Sequence, residues 1–184
     1  MDLVTLALAK SYSNSVASPR AVVPLDVPTF DGNPSATHPS VVFVPEGWKG
    51  YRYWMAFTPH PPFPREKPSI VASNDLVKWV VPHGLTNPIV SQEEIEQHGF
   101  GFSSDPELVL LPDGRMACYY RLARRAVGAT SRDAIFRKTS SDGVRWSQQE
   151  LVIDGGSTLD EKLLSPAIDR KSTRLNSSHA GLSR

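Results

Sequence analysis

The sequence predicts an all-β fold, namely a partial β-propeller of two four-stranded antiparallel blades, the start of a third blade and a short N-terminal helix. The prediction rests on a long internal repeat and on four strand-like segments within each copy, separated by turn residues. Composition agrees, because 16 prolines and 12 glycines in 184 residues favour many short elements over long helices. Apolar residues make up 40% of the chain, which is enough for a packed core.

The internal repeat has an offset of 67 residues. The segment HPSVVFVPEG, which starts at His38, aligns at this offset with DPELVLLPDG, which starts at Asp105. The turns SNDLVKW and SSDGVRW align at the same offset, and we expect the whole alignment to hold without a gap. A third copy starts at Ser165, 60 residues after Asp105. Four-stranded units in series are typical of β-propellers.

Each copy contains four predicted strands. In the first copy they are SVVFVP, YRYWMAFTP, PSIVASND and the run that begins WVVPHGL. In the second copy they are ELVLLP, MACYYRLA, AIFRKTSSD and WSQQELVID. The alignment without a gap pairs Tyr53 with Tyr120 and Trp54 with Arg121. The recurring tyrosine therefore favours a packing role, whereas Trp54 and Arg121 do not share one.

Motifs between the strands predict one helix and two tight turns. Between the copies, SQEEIEQHG predicts a short helix in which Ser91 and Glu94 form a capping box and Gly99 follows the helix end. In the two Ser-x-Asp-x-x-x-Trp turns, the side chains of Asp75 and Asp142 are suited to accept backbone N–H bonds, and the tryptophan returns to pack between sheets. We therefore expect both aspartates to support the fold and not to catalyse a reaction.

The two ends of the chain differ in composition from the repeat. The start, DLVTLALAKSYSNSV, lacks the basic region of a signal peptide and resembles short helical segments of phage and prophage tail proteins, so cytoplasmic and virion-associated locations both stay open. The end, RKSTRLNSSHAGLSR, is typical of adapter-derived sequence or of a disordered basic tail. On the first interpretation the chain is a fragment. The predicted segments are a helical segment at 1–16, a Pro-rich linker at 17–36, blade 1 at 37–104, blade 2 at 105–164, the start of blade 3 at 165–169 and the tail at 170–184.

Charge and motif content exclude several classes of function. Of 20 basic and 19 acidic residues, four basic and no acidic ones lie in the tail at 170–184, so the body is mildly acidic and predicts no nucleic-acid surface. No apolar run approaches the ~20 residues of a membrane-spanning helix. The single cysteine, Cys118, excludes an internal disulfide, and the five histidines lack zinc-site spacing. We predict no cofactor, no metal site, and neither a nucleic-acid nor a membrane partner.

The strand start DPELVLLPDG, the aromatic strand YRYWMAF and the turn SNDLVKW resemble those of the five-bladed β-propeller glycosidases, in particular the arabinanase/xylosidase and invertase/levansucrase groups. The turn is also similar to the Asp-box of sialidases, although it is one residue shorter. The resemblance covers residues 38–168, roughly two of five blades. It implies a glycoside hydrolase with a central pocket, and a structural cation on the propeller axis would be implied by the resemblance alone.

The resemblance further implies three carboxylates on the inner strands of three blades, because glycoside hydrolysis needs a general acid together with a base or nucleophile. The corresponding places hold His38, Asp105 and Ser165, so only Asp105 matches. Asp105 is therefore the candidate catalytic residue, and a strand-start aspartate that caps a turn is the alternative. His38 should point into the same funnel and is a candidate to bind a sugar hydroxyl. Glu107, two residues after Asp105, is a further candidate for substrate binding.

Aromatic and basic residues supply the other substrate-binding candidates. Trp54 lies in an aromatic run at 48–54 that is typical either of a sugar-stacking platform or of packing between sheets. Arg121, near two further arginines at a strand end, is a candidate to contact an acidic sugar, with a solvated surface as the alternative. The Pro-rich loop at 59–68 is expected to form a wall of the funnel.

The sequence thus predicts a carbohydrate-directed protein whose partner is a glycan or a small-molecule sugar. If the protein is active, it is a glycoside hydrolase with Asp105 in its pocket. Because His38 and Ser165 stand in place of two expected carboxylates, the alternative is a non-catalytic glycan-binding or receptor-recognition module of a phage or prophage tail-type protein. A purely structural propeller domain is the third interpretation.

Overall fold

The fold is all-β, with antiparallel sheets arranged as a partial β-propeller, which confirms the predicted fold class. The predicted N-terminal helix lies outside the residues that the structure describes. The structure, a computed structural model, describes residues 25–60, 66–124, 132–155, 163 and 165–168, and the backbone of 175–178. The elements are β1 (Ala36–Trp48), β2 (Tyr51–Pro59), β3 (Ser69–Ser73), α1 (Gln92–Glu96), β4 (Phe102–Leu110), β5 (Met116–Arg124), β6 (Arg132–Ser140), β7 (Glu150–Asp154), β8 (Ser165–Ile168) and β9 (Leu175–Ser178).

The strands form two main sheets and one short pair. β1, β2 and β3 form the first sheet in that order, β4 to β7 form the second, and β8 pairs with β9. The predicted fourth strand of the first sheet is reduced to one bridge between Ala72 and Val80, because Pro82 lacks an N–H and the chain turns there, with Leu85 donating to its carbonyl (3.0 Å). The adapter origin of the segment that contains β9 stays a prediction.

The repeat holds for the first and third strands of the two sheets. β1 and β4 break their pairing at the same place, between Thr37 and Ser40 in one and between Ser104 and Glu107 in the other. β3 and β6 both end at the serine that opens the Ser-x-Asp turn. The two sheets are therefore copies of one unit.

The second strands depart from the alignment without a gap. Phe43 pairs with Tyr53, whereas its counterpart Leu110 pairs with Met116. These pairs enclose nine residues (44–52) in the first sheet and five (111–115) in the second. The next connection is four residues longer in the second sheet, so the two differences cancel and the overall offset is restored.

Two expected correspondences are consequently wrong. Trp54 is not the counterpart of Arg121, and Tyr53 is not the counterpart of Tyr120, because the second strands are offset by 63 residues and not by 67. Arg121 corresponds instead to Thr58, since each of them pairs with the residue just before the break in the ladder.

The two main sheets pack face to face around a shared core. Trp54 of β2 and both Cys118 and Tyr120 of β5 are fully buried in it. Removal of this apolar surface from water is the main contribution to the contact between the sheets. Between the inner strands, the backbone N–H of Leu108 donates to Oγ of Ser40 (3.0 Å), so that β4 is fixed against β1.

The two Ser-x-Asp turns have the same hydrogen bonds, which confirms that they support the fold. In the first turn, Oγ of Ser73 accepts from the backbone N–H of Asp75, and Oδ1 of Asp75 accepts from the N–H groups two and three residues later. Ser140 and Asp142 repeat this pattern in the second turn. The tryptophan after each turn packs against an apolar cluster.

Helix α1 fixes the connection between the sheets to the second sheet. It starts with the predicted capping box, in which Oγ of Ser91 accepts from the N–H of Glu94 (3.1 Å) and the Glu94 side chain accepts from the N–H of Ser91 (2.9 Å). Glu94 also pairs with the buried side chain of Lys138 on β6 (2.5 Å), and Ile95 is buried. Among the described residues, no helix has the length and apolar character needed to cross a membrane.

Candidate functional site

A small cleft lies where the inner strands β1, β4 and β8 meet. Its volume is about 180 Å³, and each of the three strands contributes an Xaa-Pro dipeptide to its wall. Four residues that the sequence singled out therefore meet in one place, namely His38, Asp105, Glu107 and Ser165. The lining residues are His38, Pro39, Asp105, Pro106, Glu107, Ser165 and Pro166.

His38 and Asp105 have the same backbone conformation, which is uncommon for residues other than glycine. Each has φ of +52°, in the left-handed region. The next residue is Pro39 in one strand and Pro106 in the other, and a proline cannot donate to the ladder. Both strands therefore shift register at this point, as in a β-bulge, which re-aims a side chain.

The side chains of His38 and Asp105 meet across the gap between the two sheets. Nε2 of His38 lies 3.2 Å from Oδ1 of Asp105, and the imidazole is 46% exposed whereas the carboxylate is 9% exposed. Oδ2 of Asp105 accepts from the hydroxyl of Ser104 (3.1 Å) and lies 3.3 Å from Nη1 of Arg121. Both carboxylate oxygens are thus engaged, and the imidazole is the more accessible member of the pair.

An equivalent second-strand residue holds each of these two side chains. In the first sheet, Nδ1 of His38 lies 3.3 Å from Oγ1 of Thr58, which is fully buried. In the second sheet, Arg121 holds Asp105. Thr58 and Arg121 occupy the same place in the repeat. In the first sheet this place supplies a hydroxyl that contacts the imidazole of His38, and in the second sheet it supplies a guanidinium that contacts the carboxylate of Asp105.

Arg121 bridges two carboxylates and does not line the cleft. Its side chain is 9% exposed, Nε lies 3.6 Å from Oδ1 of Asp133, and the guanidinium lies 5.7 Å from the ring centroid of Phe102. The lining described above does not include it. The expected role of Arg121 in substrate binding is therefore corrected to a contact with Asp105.

Trp54 belongs to the core and not to the cleft. Its side chain is fully buried, and its indole N–H donates to the carbonyl of Trp48 (3.1 Å). Its partner on β1 is Val42, four residues and about 13 Å along the strand from His38. The expected stacking of a sugar on Trp54 is therefore wrong, because burial leaves no face of the ring accessible.

The remaining sequence-predicted residues lie at the edge of the site or outside the described residues. Glu107 lines the cleft and is partly exposed. Arg124 is exposed at the end of β5. Arg125 and residues 61–65, the middle of the Pro-rich loop expected to wall the funnel, lie outside the described residues.

Sequence reasoning missed three residues that shape the site: Thr58, Ser104 and Asp133. Ser104 directly precedes Asp105, so its hydroxyl was a local signal that could have been found. Thr58 is visible as a counterpart of Arg121 only after the four-residue differences between the sheets are known. Asp133 has no signal in the sequence, because its meeting with Arg121 depends on the pairing of β5 with β6.

Cys118 on β5 does not supply a nucleophile. It is fully buried in the core, and burial, followed by the carboxylate of Glu107, raises the pKa of its thiol above the usual range. The thiolate is the reactive form of cysteine, so this thiol is held in its inert form. Within the described ranges, no cluster of three or more His, Cys, Asp or Glu side chains is arranged to hold a metal ion.

Sequence comparison relates part of the chain to a known deacetylase. No protein-family profile matches the chain. The chain is similar to the A type blood N-acetyl-alpha-D-galactosamine deacetylase of Flavonifractor plautii, with 35% identity over 150 residues. That alignment covers 77% of this chain and 19% of the relative, so the chain spans about a fifth of the relative's length.

A solved structure agrees with the sequence comparison. The chain is similar to the crystal structure of an N-acetylgalactosamine deacetylase from F. plautii in complex with blood group B trisaccharide, with a TM-score of 0.59 and 30% sequence identity. The match covers 74% of this chain and 42% of that one.

Proposed function

We propose that the chain is part of a carbohydrate-directed enzyme domain whose cleft at His38 and Asp105 takes an N-acetylated sugar and removes its acetyl group. The names of both F. plautii proteins support this proposal. The observation that carries it is the contact of His38 with Asp105, 3.2 Å long, in a cleft formed by three inner strands.

Removal of the acetyl group is hydrolysis of an amide. A base takes a proton from water, the water oxygen attacks the carbonyl carbon, and the carbon–nitrogen bond breaks while the nitrogen receives a proton, which leaves acetate and an amine. The partly exposed imidazole of His38 is suited to take this proton and return it, because histidine is the side chain that most often transfers protons in enzymes. Asp105 is suited to orient the imidazole.

This geometry favours amide hydrolysis over the glycoside hydrolysis that the sequence resemblance implied. Glycosidases use a pair of carboxyl groups, one as acid and the other as base or nucleophile. Both oxygens of Asp105 are engaged, by His38 on one side and by Arg121 on the other, which does not suit attack on a sugar carbon. Membership of the propeller glycosidase superfamily and a role in phage tails stay predictions.

A glycan-binding module without catalysis is the second candidate, and the contacts of His38 favour it. Both ring nitrogens lie against protein atoms, Nδ1 against Oγ1 of Thr58 and Nε2 against Oδ1 of Asp105. The ring must release one of these contacts before it can exchange a proton with water. Binding of a sugar by the cleft walls needs no such release.

Product analysis after one incubation separates the candidate functions. The protein is incubated with a glycan that ends in N-acetylgalactosamine and, as a matched control, with the same glycan ending in galactose. We expect acetate from the first glycan only, with its glycosidic bonds intact, and no acetate from the His38→Gln variant. Free monosaccharide would instead select glycoside hydrolysis, and binding without any product would select the glycan-binding module.

A further inference from the structure

A continuous row of polar side chains crosses both sheets beside the cleft. It runs from Asp133 on β6 through Arg121 on β5, Asp105 on β4 and His38 on β1 to Thr58 on β2. The successive distances between the facing atoms are 3.6, 3.3, 3.2 and 3.3 Å. Five strands from two sheets thus contribute one residue each, and two of these residues, His38 and Asp105, line the cleft.

The row is buried at its charged end and accessible at its imidazole. The side chains of Arg121 and Asp105 are each 9% exposed and that of Asp133 is 12% exposed, against 46% for His38. Charges that are removed from water persist when they are paired, and here one guanidinium faces two carboxylates. A guanidinium is planar and presents its N–H groups in fixed directions, so its orientation limits where Oδ2 of Asp105 can lie.

The hydrogen-bonding capacity of each group indicates which atom donates and which accepts in the contacts of His38. A carboxylate only accepts, so Nε2 of His38 carries the proton in its contact with Oδ1 of Asp105. In the neutral ring, Nδ1 is then an acceptor, which suits the hydroxyl of Thr58 as donor. Oδ2 of Asp105 meanwhile faces Arg121, so that Oδ1 is left for the imidazole.

We propose that Arg121 and Asp133 are positioning residues that act on His38 through Asp105. Asp133 attracts the guanidinium as an ion pair in which Nε of Arg121 makes no hydrogen bond, the guanidinium holds the carboxylate, and the carboxylate fixes the imidazole with its Nε2–H turned inwards. The benefit to a sugar in the cleft rests on the proposed function. The positioning itself is a property of the folded chain and can be measured without substrate or turnover.

The test measures the state of the His38 ring in the 184-residue chain. Proton–nitrogen spectra of chain labelled with nitrogen-15 at histidine report the Nε2 proton, and mass spectrometry reports the rate at which diethyl pyrocarbonate acylates each histidine. The signals of His38 are assigned with His38→Gln. In Arg121→Met we expect loss of the protected Nε2 proton and several-fold faster acylation of His38. In Asp133→Asn, which keeps the guanidinium, we expect a smaller change in the same direction.

Two further variants separate positioning from a general effect on the fold. Arg115→Met removes an exposed arginine that is paired with Asp113, and it should leave His38 unchanged. Arg121→Lys keeps the positive charge but lacks the planar guanidinium, so the Nε2 proton of His38 should be protected only in part compared with the wild type. If Arg121→Met does not fold, Arg121→Lys and Asp133→Asn decide the question.

The outcome is independent of the proposed function. Folded Arg121 and Asp133 variants with wild-type His38 signals would overturn the proposal even if the protein removes acetyl groups. Altered His38 signals would support the proposal even if no sugar is bound.

Discussion

Gly143 lies against Trp54 across the interface between the two sheets, and no other residue fits its place. A Cβ atom added to Gly143 would lie 2.8 Å from Cζ3 of Trp54 and 3.0 Å from Cζ3 of Trp48. Its φ of +78° is also in the region that favours glycine. The turn at Gly143 in the second sheet therefore packs closely against Trp54, a core residue of the first sheet.

We expect Gly143→Ala to lower the free energy of unfolding by about 3 kcal/mol, because it combines overpacking with a strained backbone. The matched control is Gly114→Ala, which has φ of +83° but nothing within 4 Å of the added atom. The control should cost about 1 kcal/mol, from backbone strain alone. Urea unfolding measures both, and equal losses would show that the contact with Trp54 does not contribute.

Trp54→Leu should destabilise the chain without changing its affinity for sugar. The substitution removes a fully buried ring and should lower the free energy of unfolding by about 3 kcal/mol. Calorimetric titration of the folded variant with the N-acetylgalactosamine glycan should give the wild-type dissociation constant. A folded variant with markedly weaker binding would instead show that Trp54 contributes to the binding site.

Because of the two Ser-x-Asp turns, the free energy of unfolding should depend on pH. The backbone N–H of Arg145, then that of Val144, holds the pKa of Asp142 below its usual value. The pKa of Asp75 is lowered in the same way, first by the backbone N–H of Lys78. A carboxyl group with a lowered pKa in the folded state contributes stability that is present above its unfolded pKa of about 4 and is lost as pH falls through the folded value.

We therefore expect the wild-type chain to lose stability as pH falls from about 5 towards 2, and Asp75→Asn and Asp142→Asn to flatten this dependence. Asparagine keeps an acceptor oxygen for the turn but removes the charge, so the difference from wild type should be largest near neutral pH. Unfolding curves at a series of pH values measure it. Variants whose curves run parallel to that of the wild type would refute the role of the charge.

The fold was predictable from the sequence because the repeat preserves what a strand needs: apolar alternation, turn residues and the Ser-x-Asp signature. The site was predictable only in part. His38 and Asp105 start equivalent strands in the alignment, so their meeting followed from the repeat. The first connection is four residues longer in the first sheet, and the next connection is four residues longer in the second sheet. The overall offset of the repeat is therefore unchanged, and the sequence alone did not show that the counterpart of Arg121 is Thr58. The interruptions in strand pairing that redirect the side chains of His38 and Asp105 depend on how the backbones pair. A single position in the sequence does not reveal that pairing.

Asp105 and Arg121 should be strongly coupled in stability. Asp105→Asn leaves the buried guanidinium with one carboxylate fewer, and Arg121→Met removes the guanidinium from two largely buried carboxylates, so each should cost about 3 kcal/mol or more. The double variant should cost at least about 1 kcal/mol less than the sum of the two, because the contact between Asp105 and Arg121 can be lost only once. Urea unfolding of the four chains measures this coupling, and Asp113→Asn, which affects an exposed pair, serves as a control that should change little. Strict additivity would mean that the two side chains do not hold each other, and the row that positions His38 would then lack its central contact.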